Sequence, residues 1–142
     1  MIQNERQYSV AKAQAQRLTD ALGAAKAHLG EIDARVGRAM LAGIESQIAE
    51  LKSALREYER LRRTASLRIG SSGELPQLLI KARIARGCTQ KQLAEKLGLR
   101  EQQVQQYEAS GYRSASLKRV MEVLEALEIE TKVFVSLRAK RA

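Results

Sequence analysis

The sequence predicts a mainly α-helical chain in two parts. Residues 1–63 form a long helical hairpin or coiled coil, and residues 75–130 form a bundle of four to five short helices, followed by a short β-strand at 131–137. Three observations carry this. Apolar residues of the first part recur at alternating steps of three and four. The second part falls into short amphipathic runs punctuated by single glycines. Between them, residues 64–74 contain Gly70-Ser71-Ser72-Gly73 and no apolar periodicity crosses them, as in a linker.

In the first helix the stripe is Tyr8, Ala11, Ala15, Leu18, Leu22, Ala25 and Leu29. Gly30 then suits a helix end and Asp33 suits the cap of a second helix. That helix carries Val36, Met40, Ile44, Ile48, Leu51, Leu55, Tyr58 and Leu61. Helices of this length are stable only with the stripe buried, either against each other or against another chain. The alanines of the first stripe permit close approach. Charged residues between the stripes suit a solvated coiled-coil surface.

The second part opens at Glu74-Leu75-Pro76, with proline in the first turn of a helix, where its missing N–H does no harm. That helix presents Leu79, Ile80, Ala82, Arg83 and Ile84, and Gly87 ends it. The next stretch, 89–108, reads TQKQLAEKLGLREQQVQQYE. Thr89 caps a short helix and Gln92 completes a capping box. Gly98 supplies a positive φ just past the helix end. A second short helix follows over 101–108, burying Val104 and Tyr107 and exposing Gln102, Gln103, Gln105 and Gln106. A solvated amide face is the plainer account of such a row. Its place after a short glycine-containing turn favours another, because a glutamine amide can bond in bidentate fashion to adenine in the major groove.

After Glu108 comes a loop with Tyr112 and Arg113. Ser116 then caps a last helix, with Leu117, Val120, Val123, Leu124 and Leu127 facing inward. Residues 131–137 alternate Val133, Val135 and Leu137 on one face and suit a strand. With no partner strand in the chain, it is expected to pair with a second subunit. Residues 138–142 are a basic tail.

The run Thr89-Gln90, Leu93-Ala94, Gly98, Val104 and Tyr107-Glu108, with Arg83 upstream and Ser116-Leu117 downstream, resembles the lambda-repressor-like, or XRE-family, helix-turn-helix domains. The resemblance covers residues 75–129. It departs at Arg100, where a small capping residue is common, at Cys88, where an aliphatic is usual, and in the loop 109–115. The resemblance implies an ion pair between Arg83 and Glu108, base contacts from Glu101, Gln102 and Gln106, and then from Gln105 and Gln103. It also implies a phosphate bond from Gln90, which braces Gln102. Lys91, Arg100, Arg113 and Lys118 are the remaining phosphate candidates.

Composition agrees with a polyanion partner. The 142 residues hold 25 Lys and Arg against 16 acidic residues, net +9. Residues 1–63 carry +3 of this and residues 64–142 carry +6. No apolar run reaches the ~20 residues that span a bilayer. One cysteine, Cys88, suits a reducing cytoplasm and a buried small apolar role. A single histidine, His28, and no ligand cluster speak against catalysis, metal or cofactor, and the glycine-serine run lacks the lysine of a phosphate loop.

The expectation is a non-enzymatic, sequence-specific regulator of double-stranded DNA, a homodimeric repressor, cytoplasmic and nucleoid-associated when bound. The alternative is the antitoxin of a toxin–antitoxin pair, masking a toxin with the N-terminal helices and repressing its own operon. A coiled-coil scaffold without DNA affinity is the third reading.

Overall fold

Asn4 and Asp33 start the two long helices. The structure, a computed structural model, describes residues 1–28, 30 and 33–134. Asn4 accepts from the Gln7 N–H at 2.9 Å and opens α1 (Glu5–Ala27). Asp33 accepts from the N–H groups of Arg35 and Val36 and opens α2 (Ala34–Leu61). The first of these ends at Ala27, before Gly30, with His28 as its cap.

The two helices run antiparallel. Near the open end Glu5 pairs with Arg62, and the Tyr8 and Tyr58 rings stack with centroids 5.2 Å apart. Nearer the turn, Lys26 meets Glu45 at 3.0 Å. Ala11, Ala15, Leu18, Leu22 and Ala25 all withdraw from solvent, as their spacing predicts, and Leu29 lies outside the described residues.

The seam of α2 differs at its start. Val36 and Met40 are exposed, and Gly37 and Leu41 take their place before Ile44, Ile48, Leu51, Leu55 and Tyr58. Two successive steps of four carry Val36 about 80° round the helix from Ile44, whereas Gly37 lies about 20° from it. Strict alternation of fours and threes, not hydrophobicity, sets the seam.

Residues 64–74 are more than a loose tether. They end in a 3-10 turn, Ser72–Glu74, whose Glu74 carboxylate receives the Gly70 N–H and the Ser71 hydroxyl. Leu67 rests against the core.

The second part holds α3 (Leu75–Ala85), α4 (Gln90–Leu97), α5 (Glu101–Ala109) and α6 (Leu117–Ala126). Pro76 sits in the first turn of α3. Gly87, at φ +63, lets the Cys88 N–H reach back to the Arg83 carbonyl at 3.0 Å and so ends the helix. Ser116 caps α6 by accepting from the Arg119 N–H. At the far end, Lys96 donates to the Ala126 carbonyl at 3.0 Å and Arg86 to that of Glu128, cations at a helix C-terminus.

One apolar core joins both parts. Leu79, Ile80, Leu93, Val104 and Val123 are its centre, and Ile2, Tyr58 and Leu61 from the first part complete it. Each such aliphatic side chain contributes about 1.5–3 kcal/mol by leaving water.

Two further expectations change. Leu117 does not face inward; it is 74% exposed. It lies about 120° round α6 from the buried Val123, beyond the stripe formed by Val120, Val123, Leu124 and Leu127. The β-strand is not found. Residues 131–134 carry none, while 135–137 and the tail 138–142 lie outside the described residues. A strand is defined by its hydrogen-bonded neighbour, and the sequence supplies no second strand to provide one.

Candidate nucleic-acid interface

Two short helices and the turn between them are fixed by reciprocal bonds at each start. At α4 the Thr89 hydroxyl accepts from the Gln92 N–H at 3.1 Å, and the Gln92 amide oxygen accepts from the Thr89 N–H at 2.9 Å. Gly98, at φ +65, closes the helix, and the Leu99 N–H returns to the Ala94 carbonyl at 2.8 Å. Gly98, Leu99 and Arg100 then turn the chain into α5. There the Gln103 amide oxygen accepts from the Arg100 N–H at 2.9 Å, so Gln103 serves as half of a capping box.

The faces of α5 are sharply divided. Val104 and Glu108 are buried, and Glu101, Gln102, Gln103, Gln105 and Gln106 are exposed. Gln105 donates to Glu101 at 3.2 Å along the helix. Gln102 and Gln106, one turn apart and opposite Val104, form no side-chain bond among the described residues. Their donors and acceptors are free for a ligand.

A buried fork holds the helix from behind. Arg83 and Glu108 are each 2% exposed. The Arg83 Nε donates to Glu108 Oε1 at 2.5 Å and its Nη2 to Oε2 at 2.8 Å. The same guanidinium donates to the Cys88 carbonyl at 2.9 Å and to the Gln3 carbonyl at 2.7 Å. Gln90 lies in this network, 8% exposed, and donates to Glu108 Oε2 at 2.7 Å. Its amide oxygen receives Asn4 at 3.4 Å. The Gln90 side chain is thus engaged inside the protein, bracing Glu108 and forming no bond to Gln102.

Lys91, Arg100, Arg113 and Lys118 are all exposed and form no ion pair among the described residues. The loop that carries Arg113 is built on Tyr112. This residue is buried, takes φ +54, stacks on Tyr107 at 5.9 Å and returns its N–H to the Tyr107 carbonyl at 2.7 Å. Burial pushes its phenol far above the ordinary tyrosine range, the Glu108 carboxylate adds to this, and Arg83 opposes it. Cys88 is half-buried against the core, and burial likewise raises its thiol.

A family model described as helix-turn-helix matches residues 79–134, which span α3 to α6. The chain carries a lambda-repressor-like helix-turn-helix domain. Comparison with curated proteins and with solved structures gives no match. A helix-turn-helix domain of this type is a DNA-binding module of transcriptional regulators, and the match supports double-stranded DNA as a partner.

Sequence reasoning missed what stands outside the helix-turn-helix domain but touches its centre: Ile2, Gln3 and Asn4. A local signal was present, since Asn4 and Gln7 have capping-box spacing and Gln7 also accepts from the Gln3 N–H at 2.8 Å. Nothing in the spacing of residues 1–7 marks the docking of Gln3 and Asn4 against Arg83 and Gln90, eighty or more positions away. Among the described residues no helix is long and apolar enough to cross a membrane.

Proposed function

We propose that the chain is a sequence-specific dimeric repressor that sets α5 into the major groove of its operator. The observation that carries this reading is the pair Gln102 and Gln106, solvent-facing and unengaged on a helix clamped from behind by a buried ion-pair fork. In this reading Gln102 and Gln106 read base edges and Glu101 accepts from a cytosine amine. Gln105, tied to Glu101, orients it and reads an adjacent edge, and Gln103 has a smaller share because it caps the helix. Lys91, Arg100, Arg113 and Lys118 hold phosphates and set affinity and register.

Dimerisation is supported by exposed apolar side chains on α6 and in the residues after it. Leu117 and Met121 lie one turn apart on α6, and Val133 and Phe134 follow it, all open to water. A palindromic operator requires the two recognition helices of a dimer about 34 Å apart, one turn of DNA. Selection of bound duplexes from a random pool at near-physiological salt, with molar mass measured alongside, tests the reading. An enriched palindrome with half-sites about one helical turn apart supports it. A folded protein that enriches nothing sinks it.

A second reading, the antitoxin, is favoured by one feature of the hairpin. Val36 and Met40 form an exposed apolar pair on the outer side of α2, away from the α1 seam. Co-expression with the neighbouring reading frame, scored by rescue of growth and by co-purification, separates an antitoxin from a free-standing repressor.

A further inference from the structure

We infer that residues 1–4 are a positioning element of the recognition helix, setting its sequence discrimination without touching DNA. The inference rests on the DNA-reading role of α5.

The fork that fixes α5 is incomplete without this segment. The Arg83 guanidinium has four engagements: two with Glu108, one with the Cys88 carbonyl and one with the Gln3 carbonyl. Arg83 is almost wholly buried, so an N–H that loses its acceptor has little water to turn to, which is costly for a charged donor. A guanidinium is a rigid plane. Tilting it to recover a partner for Nη2 moves the other donors, and Nη2 is also one of the two atoms holding Glu108.

A second thread reaches the same carboxylate by a different route. Asn4 donates to Gln90, and Gln90 donates to Glu108 Oε2. Both threads converge on a residue in the last turn of α5, four positions after Val104 and two after Gln106. Ile2 anchors the segment in the shared core. Asn4 is also the cap of α1, so the segment is bonded to the hairpin and to the fork at once. Polar networks of this kind fix a unique geometry when fully satisfied and loosen it when a member is lost.

The test uses the full chain and the duplex selected as above. Three variants disturb the segment: removal of residues 1–4, Asn4→Ala and Ile2→Asp. Ile48→Ala, in the hairpin seam far from the fork, serves as a control for general loss of stability. Two quantities are read at fixed salt: the ratio of Kd on scrambled duplex to Kd on selected duplex, and amide exchange protection along α5 in the free protein.

A positioning role predicts that removal of residues 1–4 lowers the discrimination ratio about tenfold, the effect of one lost hydrogen bond to a charged group. Exchange should rise more in α5 than in α3, α4 and α6 in all three variants, with the first turn of α1 also opening where its Asn4 cap is lost. The control should leave the discrimination ratio at the parent value and raise exchange in all helices alike rather than selectively in α5. Unchanged discrimination and unchanged α5 protection in the folded variants would overturn the inference. If the parent chain itself shows no discrimination, the DNA reading fails. The α5 exchange then decides the positioning of the helix by itself.

Discussion

The Gln90 amide donates to Glu108 Oε2 at 2.7 Å, joining the first residue of α4 to the last turn of α5 below the surface. The angle between the two helices is therefore held by a polar contact as well as by Leu93, Ala94 and Val104. Gln90→Ala should cost about 1.5–3 kcal/mol of stability, the range for a hydrogen bond to a charged group. Glu108→Ala should cost about 3–5 kcal/mol, because it strands a buried guanidinium. Urea unfolding monitored by circular dichroism checks both. The salt slope of DNA binding should not change for Gln90→Ala; a fall of about one would return Gln90 to the phosphate contacts.

Base reading and phosphate binding separate by substitution. Gln102→Ala and Gln106→Ala should each cost about 1–3 kcal/mol on the selected site and relax preference at one or two base positions. Arg113→Ala should weaken selected and scrambled duplexes alike and lower the salt slope by about one. A Gln102→Ala loss spread evenly over all sequences would remove that residue from the reading face.

High pH should expose Tyr112. Its folded-state phenol titrates far above the ~10 of an unfolded tyrosine. The unfolded chain therefore loses this proton first, and stability that is complete below about pH 10 falls as pH rises beyond it. The urea midpoint should stay level from pH 7 to 9 for this group and drop above pH 10. Tyr112→Phe should drop less steeply, and equal slopes in the two proteins would contradict the burial of this phenol.

The register of the hairpin can be read from its tolerance to charge. Val36→Glu and Met40→Lys lie on the solvent side of α2 and should change stability by less than about 0.5 kcal/mol. Ile48→Ala, inside the seam, should cost about 2–5 kcal/mol. Thermal unfolding of the three variants distinguishes this register from one in which Val36 and Met40 are buried.

The helices were legible because their signals are local. Thr89 with Gln92, Gly98, Pro76, Asp33 and Ser116 each act within one turn, and each does in the structure what its spacing predicts. The α1 stripe was legible for the same reason. The start of the α2 seam was not, because Val36 and Met40 are more apolar than Gly37, and only strict alternation of threes and fours reveals the register. Gln90 shows a different limit. Its position at a helix start suits a phosphate, but its burial depends on Glu108, Arg83 and Asn4, brought together by tertiary structure. Tyr112 likewise looks like a loop residue until its ring is seen stacked on Tyr107.

The shared core has a consequence for how the molecule breaks. Ile2, Tyr58 and Leu61 cover the same apolar centre as Leu79 and Val104, so the two halves are held by contact as well as by residues 64–74. A protease nick in that segment should not release a free DNA-binding fragment. The cut halves should stay together as a non-covalent complex, melt in one transition, and reassemble when mixed after separation.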